Sequence, residues 1–308
     1  MKLFIALLVV VATVQAKVLP SHTAYGYLER SAAEFDKRRE AEERFLSSRI
    51  VGGVAAGAGQ YPYQAGLLID LVGISGNAVC GATLISPSRL VTAAHCWYDG
   101  RHQAWRFTVI LGSVTLFQGG IRIQTSAMRN HPNWFPQLAR NDIGVIYLSS
   151  NVAISNLIAP VALPSGAELL ENFVGSTAIA SGFGLTSDSA NITTSQYLSH
   201  VSLNVITNSV CGYAFPFILQ PSNLCTSGVG GVGACRGDSG GPLVVTRNNR
   251  RILIGATSFG SALGCTANLP SVFARITYFI DFINQHLTSY HCPTNNINVE
   301  VVLMFVFE

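Results

Sequence analysis

From residue 50 to about residue 275 the chain is a succession of short β-branched and aromatic runs, cut by clusters of Gly, Pro, Asn and Ser. "YQAGLLI" (63–69), "RFTVILG" (106–112), "DIGVIYL" (142–148), "HVSLNVI" (200–206) and "ILIGATSFG" (252–260) are examples. A branched Cβ packs well on a pleated, half-buried surface, and the turn residues end each run, so these stretches read as strands. Their even spacing predicts an all-β barrel or sandwich. Residues 156–168, "NLIAPVALPSGAE", are rich in Pro and small residues and are expected to connect two β-units. The last patterned stretch, "ITYFIDFINQHL" (276–287), places Phe279, Ile280, Ile283 and Leu287 near a helical period and predicts an amphipathic helix. No low-complexity segment or short-period repeat is visible.

The ends of the chain differ from this body. Residues 1–16, "MKLFIALLVVVATVQA", combine one Lys, an apolar run and a small residue before Lys17, the pattern of a signal peptide. A buried N-terminal helix is the alternative. The run is too short for a good membrane span, and no later apolar run reaches spanning length, so a secreted, extracellular protein is expected and a membrane partner is not. Residues 17–49 are charge-dense, favour helix and carry no Cys. They are either a solvated helical face or a removable pro-segment. Residues 288–308 end in the apolar "VEVVLMFVF" (299–307), to which the sequence assigns no role.

Export bears on the cysteines. Seven are present at wide spacings: Cys80, Cys96, Cys211, Cys225, Cys235, Cys265 and Cys292. No CxxC pair occurs, which argues against zinc, and in an oxidising compartment the cysteines read as disulfides with one left over. Beyond Arg49 the chain has eleven Arg, ten acidic residues and no Lys. It is nearly neutral there, without a basic patch interleaved with aromatics, and nucleic acid is not an expected partner.

"ACRGDSGGPLVV" (234–245) carries two readings that exclude each other. Arg236-Gly237-Asp238 is the tripeptide that adhesion receptors take from exposed loops. Gly237-Asp238-Ser239-Gly240-Gly241 looks like the nucleophile loop of a serine protease. Two further stretches bear on the choice. "VTAAHCW" places His95 beside Cys96, and "RNDIGVIYL" places Asp142 at the start of a strand. Each alone fits a structural role: a His packed beside a Cys, an Asp in a turn, a Ser in a glycine loop. Together, in the order His95, Asp142, Ser239 and after "RIVGG" (49–53), they fit a nucleophile, a base and an orienting carboxylate.

Over about residues 50–287 the chain resembles the chymotrypsin-like serine endopeptidases, and is most similar to insect digestive chymotrypsins. The resemblance implies two six-stranded antiparallel Greek-key barrels with a C-terminal helix. It implies that Ser239 attacks the scissile carbonyl, that His95 is the base and then the acid, that Asp142 orients the imidazole, and that the N–H groups of Gly237 and Ser239 form the oxyanion hole. It implies a zymogen cut after Arg49 by a trypsin-like protease. The new α-amine of Ile50 would then pair with buried Asp238, which is incompatible with adhesion in the active form, though less so in the uncut one. It implies the disulfides Cys80–Cys96, Cys211–Cys225 and Cys235–Cys265, with Cys292 unmatched. Polypeptide substrates and protein protease inhibitors are the implied partners of a monomer, with no cofactor or metal.

The resemblance also places the substrate pocket. Its floor falls at Gly233, where trypsins have Asp, and its walls at Gly260 and Ser271. A neutral floor and small walls imply cleavage after Phe, Tyr, Leu or Met, with the broad collagenolytic members as a looser variant. Arg236 falls on the pocket rim, and 258–264, "SFGSALG", should offer backbone to the substrate. Asn191-Ile192-Thr193 is a glycosylation acceptor. The lysine-free body suggests work at alkaline pH, because Arg keeps its charge where Lys loses it. A clotting or immune protease and a non-catalytic partner-binding homologue are the competing functional readings.

Overall fold

In this computed structural model of the intact chain the described residues are 26–27 and 52–288. Arg49, Ile50, Cys292, the leader and the tail lie outside them, as does the pro-segment apart from 26–27. Among the described residues fifteen strands are present: β1 (Gly26–Tyr27), β2 (Val54–Ala55), β3 (Gln64–Leu71), β4 (Asn77–Ser86), β5 (Arg89–Thr92), β6 (Ala104–Leu111), β7 (Ile121–Thr125), β8 (Met128–Asn130), β9 (Gly144–Tyr147), β10 (Thr177–Gly182), β11 (Ser199–Ile206), β12 (Asn223–Thr226), β13 (Pro242–Arg247), β14 (Arg250–Phe259) and β15 (Ser271–Arg275). Among the described residues the α-helices are α1 (Asn208–Gly212) and α2 (Ile280–Thr288), the second covering most of the predicted amphipathic stretch.

The pairings between these strands are all antiparallel, and they form two curled sheets. The first runs β7-β6-β3-β4-β5-β9-β8, with β1 added to β4. Strands β7 and β8 are separated only by Ser126 and Ala127, so they are one bent strand that pairs with β6 at its start and β9 at its end. Thr125 Oγ1 donates to Tyr147 O at 2.8 Å and Tyr147 N to Ala127 O at 2.9 Å, which carries the pairing through the bend. Counted this way the first sheet closes as six strands. The second closes through β10–β11 into six strands, with β2 appended to β11. Numbered in chain order within each barrel, both rings read 1-2-3-6-5-4. This is the two-barrel chymotrypsin fold.

Alternation across the strands builds a separate apolar filling in each barrel and a third between them. Leu67, Leu84, Phe107 and Ile146 fill the first, and Leu203, Leu224, Leu243 and Phe273 the second. The cluster between them joins Val79, Val91 and Ile143 to Phe183, Leu253 and Ala256, and includes Phe279, just before α2, and Ile283 within it. Where β4 meets the turn before β13, a Cβ on Gly81 would sit only 2.9 Å from Gly241 Cα. That close approach of two backbones brings the loops of both barrels to one seam.

Candidate active site

His95 sits in a single 3-10 turn, Ala94–Cys96, that follows β5. Asp142 precedes β9. The strand is shorter than the run "DIGVIYL", because Asn141 adopts a left-handed φ of 57° and Ile143 N closes back on Asn141 O at 2.8 Å. That turn takes Asp142 out of the ladder and aims its carboxylate at the histidine. Oδ2 lies 2.7 Å from His95 Nδ1, and Oδ1 accepts from the His95 backbone N at 2.9 Å. The two-point attachment fixes both position and ring orientation, and it leaves Nε2 as the nitrogen available for proton transfer. A third donor was not legible in the sequence: Ser258 Oγ gives a hydrogen bond to Asp142 Oδ2 at 2.6 Å. It is one Ser among ordinary residues of β14, and no spacing marks it. Burial pushes the His95 pKa down, but the Asp142 charge and hydrogen bond outweigh it and leave the imidazole above its ordinary value.

Ser239 occupies the turn between β12 and β13. Its carbonyl accepts from Gly81 N at 2.7 Å and lies 3.6 Å from the sulfur of Cys96, the neighbour of His95. These contacts hold the Ser239 backbone against the first barrel, next to the residue that follows His95. Two left-handed glycines shape the turn, Gly237 at φ 95° and Gly240 at φ 76°. A Cβ on Gly240 would meet Gly81 O at 2.6 Å and Ala93 N at 2.7 Å, so both the backbone and the space demand glycine. Within this turn Asp238, Gly240 and Gly241 spend their N–H groups on Cys235 O, Thr257 O and Asp238 O. Those of Gly237 and Ser239 make no hydrogen bond among the described residues. Two unspent amides beside a serine hydroxyl are what a developing oxyanion requires.

Asp238 is 3% exposed. Its Oδ1 accepts from Gly184 N at 2.8 Å and its Oδ2 from Cys235 N at 3.0 Å, and the carboxylate fills the space that side chains at Gly182 and Gly184 would need. The adhesion reading of Arg-Gly-Asp is therefore wrong for the intact chain as well, where the sequence left it weakly open. No cation pairs with Asp238 among the described residues, and burial raises its pKa to about 6.

Gly233 is buried, and a Cβ there would lie 2.7 Å from Ser271 Oγ, which accepts from Ala234 N at 3.2 Å. Gly260 follows Phe259, which pairs with Val272, so Gly260 and Ser271 lie across neighbouring strand ends. The three predicted pocket positions thus converge, and none is charged. Arg236 is exposed, and its guanidinium donates to Asp188 O at 2.8 Å. Disulfides join Cys80 to Cys96, Cys211 to Cys225 and Cys235 to Cys265. Cys80, His95 and Cys96 place a ring nitrogen and two sulfurs within 4.8 Å of one another, but both sulfurs are in one S–S bond and offer no thiolate to a metal. No described helix is long and apolar enough to cross a membrane. Asn191 is exposed.

Residues 50–283 match the family described as trypsin. The chain belongs to the trypsin family. Within that family it is 39% identical to brachyurin of Leptuca pugilator over 237 residues, 76% of this chain and 96% of that protein. It is 35% identical to a collagenase of Hypoderma lineatum, over 77% of this chain and 87% of the relative. A solved structure of HL collagenase superposes with a TM-score of 0.70 at 33% identity, covering 79% of this chain and all of the other. The protein is a trypsin-family serine endopeptidase and acts on polypeptide substrates.

Proposed function

We propose that Ser239, His95 and Asp142 are the catalytic residues of a secreted zymogen that cleaves after large apolar side chains in digestion. His95 Nε2 accepts the Ser239 proton as Oγ bonds to the scissile carbonyl carbon. The electron pair of the C=O moves to oxygen, where the N–H groups of Gly237 and Ser239 receive it. Collapse breaks the C–N bond, and His95 passes the proton to the leaving amine. Water then repeats the sequence on the acyl-enzyme and frees the acid. Asp142 stabilises the imidazolium through the 2.7 Å contact.

The small, neutral residues Gly233, Gly260 and Ser271 carry the specificity. A slot with no carboxylate gives a cation nothing to pair with, while an aromatic ring can fill it. Arg49 before Ile50 calls for a trypsin-like activator. Every catalytic group lies in one chain, in keeping with a monomer, and protein inhibitors would enter as substrates do. Three disulfides and the leader-like residues 1–16 support export, with the gut lumen as the proposed setting. The test is to cleave the precursor with trypsin and profile the product on a peptide library. Phe, Tyr, Leu and Met before the cut should exceed Arg and Lys by at least about tenfold, a margin apolar pockets commonly give. A preference for Arg or Lys overturns the pocket assignment.

The names of the relatives favour a second, broader reading, cleavage of collagen. Incubation with native triple-helical collagen separates the two: discrete fragments support it, and an intact triple helix alongside rapid peptide cleavage rejects it. The His95 geometry sets the pH response of either. Only neutral imidazole can take the serine proton, so kcat/KM should rise with pH through one ionisation above the ordinary histidine value of 6.5. Asp142→Asn should move that ionisation downward and cost about 10⁴ in kcat. A rise centred below 6 in the parent enzyme contradicts this geometry.

A further inference from the structure

Asp188 lies in the loop after β10, far in sequence from the catalytic and pocket residues assigned above. Its carboxylate is nonetheless hydrogen-bonded to the stretch that follows Gly260. Oδ1 accepts from Cys265 N at 2.7 Å, and Oδ2 accepts from Thr266 N at 3.3 Å and from Thr266 Oγ1. Gly264, at φ 114°, has no side chain because the Asp188 carboxyl occupies that space. Among the described residues, Asp188 supplies every hydrogen bond that ties residues 260–266 to another segment. The remaining bonds of that stretch, Gly264 N to Ser261 O and Leu263 N to Ser261 Oγ, are internal.

The other end of Asp188 faces the nucleophile loop. Its carbonyl accepts from Arg236 Nη2 at 2.8 Å, and Leu185 N donates to Arg236 O at 2.8 Å. Cys265 is bonded to Cys235, the residue before Arg236. Asp188, Cys265, Cys235 and Arg236 therefore close a ring, part covalent and part hydrogen-bonded. Burial pushes the Asp188 carboxyl up, but the Thr266 and Cys265 donors outweigh it and hold it below its ordinary value.

We propose that Asp188 is a positioning residue that fixes the 260–266 wall of the substrate pocket against the nucleophile loop, and so sets affinity for the side chain before the scissile bond. The proposal rests on the pocket reading at Gly233, Gly260 and Ser271. It acts through the wall and touches none of the reacting atoms. A disulfide alone constrains one point of a seven-residue stretch, whereas three additional hydrogen bonds to a charged acceptor, two from peptide N–H groups and one from the Thr266 hydroxyl, hold two consecutive residues of it.

The trypsin-cleaved full-length enzyme is first profiled on peptides differing only in the residue before the cut, which decides the pocket reading by itself. The clamp is then tested with whichever class the parent enzyme prefers. Asp188→Ala should raise KM for that class about tenfold with kcat within about threefold of the parent, the split expected when ground-state and transition-state binding are lost together. Asp188→Asn, which keeps an acceptor for Cys265 N–H, should recover at least half of the loss. Thr266→Val, which removes one donor from the other side, should raise KM several-fold and serves if the Ala variant fails to fold. An unchanged KM in folded Asp188→Ala or in Thr266→Val overturns the proposal, as does a loss confined to kcat.

Discussion

Ser239→Ala is expected to lower kcat by about a million-fold, the scale seen when a triad nucleophile is removed from an enzyme of this chemistry. The structure gives a reason to expect loss of chemistry without loss of fold. Ser239 is anchored through its carbonyl, by Gly81 N at 2.7 Å, and that bond survives the substitution. The turn is set by left-handed Gly237 and Gly240, which are also untouched. The variant should therefore bind a Phe peptide with an affinity within a few-fold of the parent KM while hydrolysing it hardly at all. Steady-state turnover with equilibrium binding to the same peptide checks both halves. Retention of more than about one per cent of kcat would assign the nucleophile elsewhere, because no redundant hydroxyl can replace a positioned one at that level.

Asp238→Asn is expected to leave cleavage after Arg49 unimpaired and to reduce the resulting activity about 10²- to 10⁴-fold. The range follows from the 3–5 kcal/mol typical of breaking a buried ion pair by removing one partner. In the intact chain Asp238 is buried with two backbone donors and no described cation, and its pKa stands near 6 against an ordinary 3.8. The sign is informative. As pH falls from about 6 to about 4 the folded precursor takes up this proton before the unfolded chain does, so the group stabilises the precursor on acidification. A shift of about two units corresponds to at most roughly 3 kcal/mol. Pairing with the Ile50 amine would remove that penalty, and would reverse the response: the amine, raised above its free value near 8, loses the pair as pH rises through the raised value. N-terminal sequencing of the trypsin product, with activity followed to pH 10, reads both effects. Collapse of activity above pH 9 would remove the alkaline setting suggested by the lysine-free body, and full activity in Asp238→Asn would remove the pairing itself.

The parts of this structure that were legible in the sequence are those encoded locally. Short β-branched runs gave strands, and the 276–287 period gave α2. His95, Asp142 and Ser239 could be proposed because three short motifs follow one another in a family's order after "RIVGG", although each alone fits a structural role. What stayed hidden depends on contacts between remote segments. The Ser258–Asp142 hydrogen bond joins residues 116 apart in the chain and needs only one common side chain. The identical ring order of the two barrels leaves no sequence repeat, because a ring order is a property of pairing and each barrel fills its core with different residues. The bend at Ser126 and Ala127 divides one strand into two and could not be placed by periodicity. Asp188 reads as an unremarkable turn residue until folding brings Cys265 and Thr266 to it.

The whole reading stands on a hydroxyl activated by an imidazole that a buried carboxylate orients. Treatment of the trypsin-cleaved enzyme with a small fluorophosphonate, followed by peptide mass mapping, reads that arrangement directly, because only an activated serine is phosphonylated rapidly. One adduct is expected, on Ser239, with the rate falling at least about 10³-fold in His95→Ala. An adduct on a different residue, or labelling of Ser239 at the same rate without His95, would contradict it.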